Sequence, residues 1–229
     1  MWQEVRSELY PQGVEVVTVA LDVGGADAAG PFIDAAAPDH PSLIDQDHRL
    51  TELLGIINVP SGLWVDETGV LVRPPEPAFP GRVGLLDQPP PAEVPPRAME
   101  VVEETMKIRI RPRKYLAALR DWAENGARSQ YVLPPEEVVS RSTPQPPEAS
   151  LAAAHFELAH HLHRSGRVDD AVPHFAEARR LQPGNWVYKR QAWSFADPVL
   201  QLETGPYEGD WLSDIRESGP DSYYAPLDL

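Results

Sequence analysis

The chain has 229 residues, of which 42% are hydrophobic and 24% charged; this composition is that of a globular protein and excludes a disordered one. Its 20 Lys and Arg residues are outnumbered by 35 Asp and Glu residues, and the net charge of −15 repels nucleic acid and excludes it as an expected partner. The absence of cysteine excludes disulfides, thiolate metal sites and cysteine nucleophiles within the chain.

The first 73 residues alternate between strand-like and helix-like patterns. The segment GVEVVTVALD is almost continuously apolar, as expected of a strand that is covered on both faces. Asp47 is predicted to cap a short helix, and the last two strands are close enough to form an antiparallel hairpin. The predicted strands lie at 13–22, 40–45, 62–65 and 70–73. The predicted helices lie at 3–10, 26–37 and 47–54.

Prolines divide the rest of the chain. Residues 74–96 are too rich in proline for regular structure, because each proline lacks a backbone donor and fixes φ. Residues 134–150 combine proline, serine and charge, which is typical of a linker. The predicted elements of this half are helices at 97–106 and 112–125, a short strand at 107–111, a helical hairpin over 152–182, and an irregular aromatic tail at 185–229.

The sequence offers no membrane-spanning pattern. No apolar run approaches the ~20 residues that cross a bilayer, and the first residues, MWQEVRSELY, lack the basic and apolar regions of a signal peptide. We therefore expect a cytoplasmic protein without a membrane contact, while an exported parent with a longer N-terminus stays open.

Four segments of the first half resemble the thioredoxin-like redoxin family, of the TlpA and ResA type and related to the peroxiredoxins. They are VVTVALD, LIDQDHRLTELLGI, INVPSG and LWVDETGVLV, in the order and at the spacing of the family's strand, helix start, proline turn and hairpin. The resemblance covers about Gln3 to Arg73. It implies an α/β fold with a thioredoxin-like sheet over residues 1–133.

The resemblance also implies a peptide site. Pro60 lies where the family has a cis-proline, and the backbone of Val59 lies where family members pair with an extended substrate peptide. An ordinary trans-proline turn is the alternative, since only about 5 to 6% of X-Pro bonds in folded proteins are cis.

The family's redox dithiol has no counterpart in the chain. In family members a Cys-x-x-Cys opens the helix that QEVRSELY resembles, so the motif and the central strand before it would lie upstream of Met1. A sheet without its central strand exposes two rows of backbone donors and acceptors. Three explanations stay open: a truncated or misassigned start, which we favour, a rearranged strand, or a strand donated by a second copy.

The helical hairpin over 152–182 resembles a single tetratricopeptide repeat. Its small residues allow two helices to approach closely, and its glycine allows the turn between them. The residues in register are Leu158, Ala159, Leu162, Gly166, Ala171, Phe175, Ala178 and Pro183. Because about three repeats are needed for a stable stack, this single unit is expected to pack on another part of the chain.

The inner face of this repeat is the second candidate peptide site. In this register it carries Phe156, His160, His163 and Arg164, a locally basic stripe that suits an acidic peptide or a chain terminus. The alternative is that this face packs against the first domain or the tail, which we favour. The histidines lack an HExxH arrangement, so we interpret them as solvent-exposed residues and predict neither a metal site nor a cofactor.

These patterns together predict an α/β domain at 1–133, a linker at 134–150 and a TPR-like hairpin with an aromatic tail at 151–229. The predicted function is that of a redox-inactive protein-binding or scaffold module, whose partner is a protein, a peptide or a second copy of the chain. The alternative is a truncated thiol-disulfide oxidoreductase or peroxiredoxin-like enzyme whose dithiol lies upstream of Met1. Enzyme activity is left open, but this chain itself has no thiol with which to catalyse exchange.

Overall fold

The structure is a computed structural model, which describes residues 1–81, 95–142 and 147–229. It is a mixed α/β protein with more helix than strand and two small sheets. Residues 82–94, most of the proline-rich segment predicted at 74–96, lie outside the described residues, and so do residues 143–146 of the predicted linker.

The four strands form two separate two-stranded sheets. Strand β1 (Thr18–Leu21) pairs in parallel with β2 (Ser42–Asp45). Strand β3 (Ser61–Val65) pairs antiparallel with β4 (Leu71–Pro77), which confirms the predicted hairpin. Within the described residues no ladder joins the two sheets, so β1 and β3 each have one edge without a neighbouring strand.

Six α-helices accompany these strands in the described part of the first 142 residues. They are α1 (Trp2–Leu9), α2 (Gly25–Ala36), α3 (Arg49–Leu54), α4 (Pro96–Lys107), α5 (Pro112–Asn125) and α6 (Pro135–Arg141). Proline occupies the first turn of α4, α5 and α6, where its missing N–H is not needed for helix bonding.

Two local predictions in this part of the chain are wrong. Residues 107–111 are not a strand: they end α4 and connect it to α5. The donors at the start of α3 are satisfied by Asp45, whose carboxylate accepts from the backbone of Arg49 and Leu50 at 3.0 and 2.7 Å, whereas Asp47 pairs with Arg164. Helix α6 lies within the segment that was interpreted as a linker.

The rest of the chain is helical. Helices α7 (Pro147–Arg164) and α8 (Val168–Leu181) correspond to the predicted hairpin, with Gly166 in the turn at a φ of +76°. The tail predicted to be irregular contains α9 (Trp186–Ser194) and α10 (Trp211–Ser218), which begin at the capping side chains of Asn185 and Asp210. None of the described helices has the length and apolar character required to cross a membrane.

The first of two apolar cores lies beneath the β3–β4 hairpin. Trp64 stacks on Trp122 with 4.9 Å between ring centroids, and its Nε1 donates to the hydroxyl of Tyr115 at 3.2 Å. Gly62 allows β3 to approach this layer, because an added Cβ would lie 2.8 Å from the Cβ of Ala78 and from Oη of Tyr115. Helices α1 and α5 are therefore fixed against the hairpin.

Arg73 lies at the edge of this first core and is only 1% exposed. Its guanidinium makes two bonds of 2.8 Å to the Glu76 carboxylate and donates to the backbone oxygens of Tyr131 and Asp228. The buried charge is thus paired and its remaining donors are satisfied, as a buried ion pair requires.

The second core joins the helical hairpin to α9 and α10. Its large members are aromatic: Phe156, Phe175, Trp186, Tyr188, Trp193, Trp211 and Tyr223. Val59, from the turn before β3, packs against this core. The turn between α3 and β3 is thus one of the places where the helical part of the chain contacts the part with the strands.

Candidate functional site

The cis-proline loop, residues 57–61, is the candidate site. The Val59–Pro60 peptide bond is cis, as the sequence analysis expects. Asn58 is buried and holds the turn, since its Oδ1 accepts from the backbone N–H of Val59 at 2.8 Å and its carbonyl accepts from the Ser61 hydroxyl at 2.7 Å. Pro60 is exposed, and its carbonyl accepts from Ala78 in an extension of the hairpin.

Three consecutive residues of this loop bond to the C-terminal part of the chain. The Ile57 carbonyl accepts from the backbone N–H of Val187 at 3.1 Å. Nδ2 of Asn58 donates to the Tyr223 carbonyl at 2.6 Å. The Val59 carbonyl accepts from the Tyr224 hydroxyl at 2.8 Å. The carbonyl at which the redoxin resemblance expects a peptide is therefore bonded to the chain's own tail.

Helix α9 bonds to the cis-proline loop and to the end of β1. Val187 is in its first turn, where backbone N–H groups have no partner within the helix, so this donor is free for Ile57. One turn later Gln191 donates from Nε2 to the Leu21 carbonyl at 3.3 Å and accepts from the Val23 N–H at 3.5 Å. Its amide thus bonds to the open edge at the end of β1 in the way that the backbone of a neighbouring strand would.

The inner face of the helical hairpin is covered by the chain itself. Phe156 is buried and stacks on Tyr188 with 4.2 Å between ring centroids. His160 is 3% exposed and packs against His48, at 5.4 Å between centroids. Phe156 and His160 therefore agree with the favoured alternative, in which this face packs against another part of the chain. The interpretation of His160 as a solvent-exposed histidine is wrong.

The other two residues of the predicted stripe lie nearer the surface. His163 stacks on Phe195 with 3.7 Å between centroids and is half-buried. Arg164 is exposed and forms an ion pair with Asp47 at 3.0 Å. The structure therefore brings none of the four stripe residues to the cis-proline loop as a joint site, although all of them face other parts of the chain.

His48 and His160 form a buried pair between α3 and α7. Both nitrogens of His48 and Nε2 of His160 have no hydrogen-bond partner. Gln191 lies beside the His48 ring, but its amide bonds to Leu21 and Val23. Burial lowers the pKa of His48 to about 4, and burial together with the nearby charges of His48, Arg164 and His163 lowers the pKa of His160 to about 2.

The imidazole pair does not form a metal centre with its neighbours. Among residues 1–81, 95–142 and 147–229, no group of three or more His, Asp or Glu side chains is arranged to hold a metal ion. The two rings are therefore best described as neutral packing groups, with His160 against Phe156 at 4.1 Å between centroids.

Sequence reasoning missed the residues that cover the cis-proline loop. Tyr223 and Tyr224 belong to the aromatic tail that was predicted to be irregular, and they bond to the loop through a backbone carbonyl and a hydroxyl group. Val187 and Gln191 lie in a segment that was predicted to be irregular. The one local signal was Asn185, a residue type that favours a helix start and that caps α9 here.

Comparisons of the chain with protein-family models, with curated proteins and with solved structures find no match.

Proposed function

We propose that the chain is a protein-binding module, built from a thioredoxin-like sheet without its central strand and a TPR-like helical hairpin, that binds an extended peptide by strand addition. The observation that carries the proposal is the open edge of β3, which pairs with β4 on one side and with no strand of the described chain on the other. An unpaired strand edge presents backbone donors and acceptors to an incoming strand.

The open edge of β3 is a better site for strand addition than the open edge of β1. The end of β1 is occupied by the Gln191 amide, whereas β3 begins directly after the cis-proline loop and ends at Val65, which is 44% exposed. One face of β3 packs on the first core through Gly62 and Trp64, so the strand is held in place before a peptide binds. A preorganised edge lowers the entropic cost of adding a strand.

The module acts without thiol chemistry of its own, because the chain contains no cysteine. A peptide paired with β3 would be held by backbone hydrogen bonds, while alternate side chains would contact the protein surface on either face. This arrangement binds a range of extended sequences and sets specificity by side-chain pockets.

A peptide-display selection tests the proposal. Random ten-residue peptides are selected on the full chain, and the photo-crosslinking residue p-benzoylphenylalanine is placed at Val65. A matched control variant carries it at Val139, which is exposed on α6. We expect enriched peptides that crosslink at position 65 and not at position 139, and protection of the β3 amides from hydrogen exchange.

Two results would overturn the proposal. One is a selection that enriches no peptide. The other is a set of peptides that bind with equal crosslinking at both positions and without protecting β3, because such peptides would not add a strand.

A further inference from the structure

Residues Tyr223–Leu229 form an irregular segment that we call the tail segment. It has no helix or strand, and it runs from the second core, over the cis-proline loop, to the first core. Three of its residues make specific polar contacts with the rest of the chain, and each contact lies on a different element.

Tyr223 is the first anchor of the tail segment. Its ring is buried against Trp186 at 4.5 Å between centroids, and its hydroxyl accepts from Nε1 of Trp211 at 3.2 Å and from Arg190 at 3.4 Å. Its carbonyl accepts from Nδ2 of Asn58. Both the side chain and the backbone of this residue are thus recognised.

Tyr224 is the second anchor. Its ring packs edge-on against Phe79 at 5.1 Å between centroids, and its hydroxyl donates to the Val59 carbonyl. Burial raises the pKa of this hydroxyl, which keeps it protonated and able to donate. The next two residues, Ala225 and Pro226, are exposed to solvent.

Asp228 is the third anchor, at the first core. Its carbonyl accepts from Arg73 at 2.7 Å, and its carboxylate pairs with Arg141 at 2.8 Å. Leu227 and Leu229 are half-buried against the first core on either side of it. The tail segment is therefore attached at both ends and free in its middle.

Three arginines contact the tail segment: Arg190 at the Tyr223 hydroxyl, Arg73 at the Asp228 carbonyl and Arg141 at the Asp228 carboxylate. The charge of Arg73 is paired with Glu76, and Arg141 also pairs with Glu137. The charge contact of the tail segment is therefore the one between Asp228 and Arg141, and a competing peptide needs a carboxylate at that position to reproduce it.

We infer that the surface under the tail segment is a peptide-binding site and that the tail segment is its resident ligand. A partner peptide displaces the tail segment when it has two adjacent aromatic residues followed by an aliphatic residue and a carboxylate. This inference rests on the proposed function, which supplies the existence of a peptide partner. It adds the chemistry of that peptide and the regulation of its binding by the tail segment. Because Val59 directly precedes the cis-proline and β3, the bound tail segment covers the end of the proposed strand-addition edge.

The attachment of the tail segment is suited to displacement. Within the described residues its backbone pairs with no strand, and its two middle residues, Ala225 and Pro226, are exposed. A tethered ligand is present at a local concentration of roughly millimolar. A free partner peptide therefore competes only if it binds more tightly or if the tail is weakened.

The test uses full-length chains and a fluorescein-labelled synthetic peptide, GPDSYYAPLDL, that corresponds to residues 219–229. Its affinity is measured by fluorescence anisotropy for the wild type and for the variants Tyr224→Phe and Tyr224→Ala. The first variant removes only the hydroxyl, and the second also removes the ring from Phe79. Asp221→Asn is the matched control, because Asp221 belongs to the same terminus but pairs with Arg109 at the surface.

We expect the peptide to bind the wild type weakly, Tyr224→Phe about fivefold more tightly through loss of one competing hydrogen bond, and Tyr224→Ala at least about tenfold more tightly. Asp221→Asn should match the wild type. A labelled peptide with phenylalanine in place of its second tyrosine should bind each chain more weakly, and a scrambled peptide should not bind.

Equal affinity for all four chains, or no binding to either Tyr224 variant, would overturn the inference. Circular dichroism of each variant establishes that it is folded, and if Tyr224→Ala unfolds, Tyr224→Phe decides. The proposed function and the inference fail separately: display-selected peptides that bind β3 with no change between wild type and Tyr224→Phe would support strand addition and refute displacement of the tail, whereas a selection that enriches no peptide would refute strand addition.

Discussion

The buried pair His48 and His160 makes a strong prediction about pH. Both rings have a pKa that is lower in the folded chain than the ordinary value of 6.5, at about 4 and about 2. The unfolded chain therefore binds more protons than the folded chain below pH 6.5, and the free energy of unfolding falls as the pH is lowered through 6.5. The loss from His48 is complete near pH 4, and that from His160 continues below it.

The size of this loss follows from the two pKa values. Each ring contributes about 2 kcal/mol of lost stability between pH 8 and pH 5, since one pKa unit corresponds to about 1.4 kcal/mol. The two rings together remove about 4 kcal/mol, which is a large part of the roughly 5–15 kcal/mol that stabilises an ordinary domain.

The perturbation that isolates one ring is His160→Leu, which keeps an apolar side chain of similar size in the second core. Its control is His161→Leu, which removes an exposed histidine from the same helix. Urea unfolding, followed by the fluorescence of the six tryptophans, is measured for each chain at intervals from pH 8 to pH 5. We expect His160→Leu to lose only about 2 kcal/mol over this range and His161→Leu to lose as much as the wild type.

The reasoning is refuted if His160→Leu retains the full pH dependence of the wild type. It is also refuted if the stability of the wild type is constant from pH 8 to pH 5, because two buried neutral imidazoles cannot then differ from solvated ones.

Two further predictions concern stability and are measured by urea unfolding at pH 7.5. Arg73→Ala should destabilise the chain by about 3–5 kcal/mol, because it leaves Glu76 buried without its partner. The control Arg120→Ala breaks an exposed ion pair and should cost less than about 1 kcal/mol. Equal losses of stability in the two variants would contradict the assigned role of Arg73. Gly62→Ala should cost about 1–3 kcal/mol of stability, because the added Cβ would lie 2.8 Å from two side-chain atoms. The control Gly184→Ala places its Cβ with no atom within 4 Å and should be neutral or slightly stabilising. A neutral Gly62→Ala would mean that β3 is less closely packed than described.

Local sequence patterns predicted the elements whose own residues determine them. The short connection between the strands at 62–65 and 70–73 is sufficient for a hairpin, and Pro112 with the face of Tyr115 and Leu119 is sufficient for α5. The helical hairpin followed from its spacing of small residues and Gly166. In each case the signal and the element lie within about 30 residues of each other.

The errors have physical causes of two kinds. The KIRIR alternation at 107–111 satisfies the local requirement for a strand, but a strand forms only when a neighbour supplies its hydrogen bonds, and α4 continues into this segment instead. Asp45 and Asp47 are equally suited to cap α3 by residue type, and the turn geometry at His48, with a φ of +55°, directs the Asp45 carboxylate to the helix.

The candidate site was only half predictable. The redoxin resemblance, carried by four segments within the first 73 residues, implied Val59 and the cis bond at Pro60. The residues that cover it, Tyr223 and Tyr224, are about 165 positions away in sequence, and no periodicity in a single sequence indicates a contact at that separation. The tail segment is also too short and irregular to be predicted as an element of structure.

Competition between the tail segment and a partner peptide for the cis-proline loop is the central claim, and fluorine NMR tests it most directly. A 3-fluorotyrosine is placed at position 224 of the full chain, and a peptide from the display selection is added in steps. The account predicts a resonance from the bound tyrosine that is replaced by one at the chemical shift of solvent-exposed fluorotyrosine, in proportion to the peptide bound. A resonance that stays unchanged while the peptide saturates the protein would contradict the account.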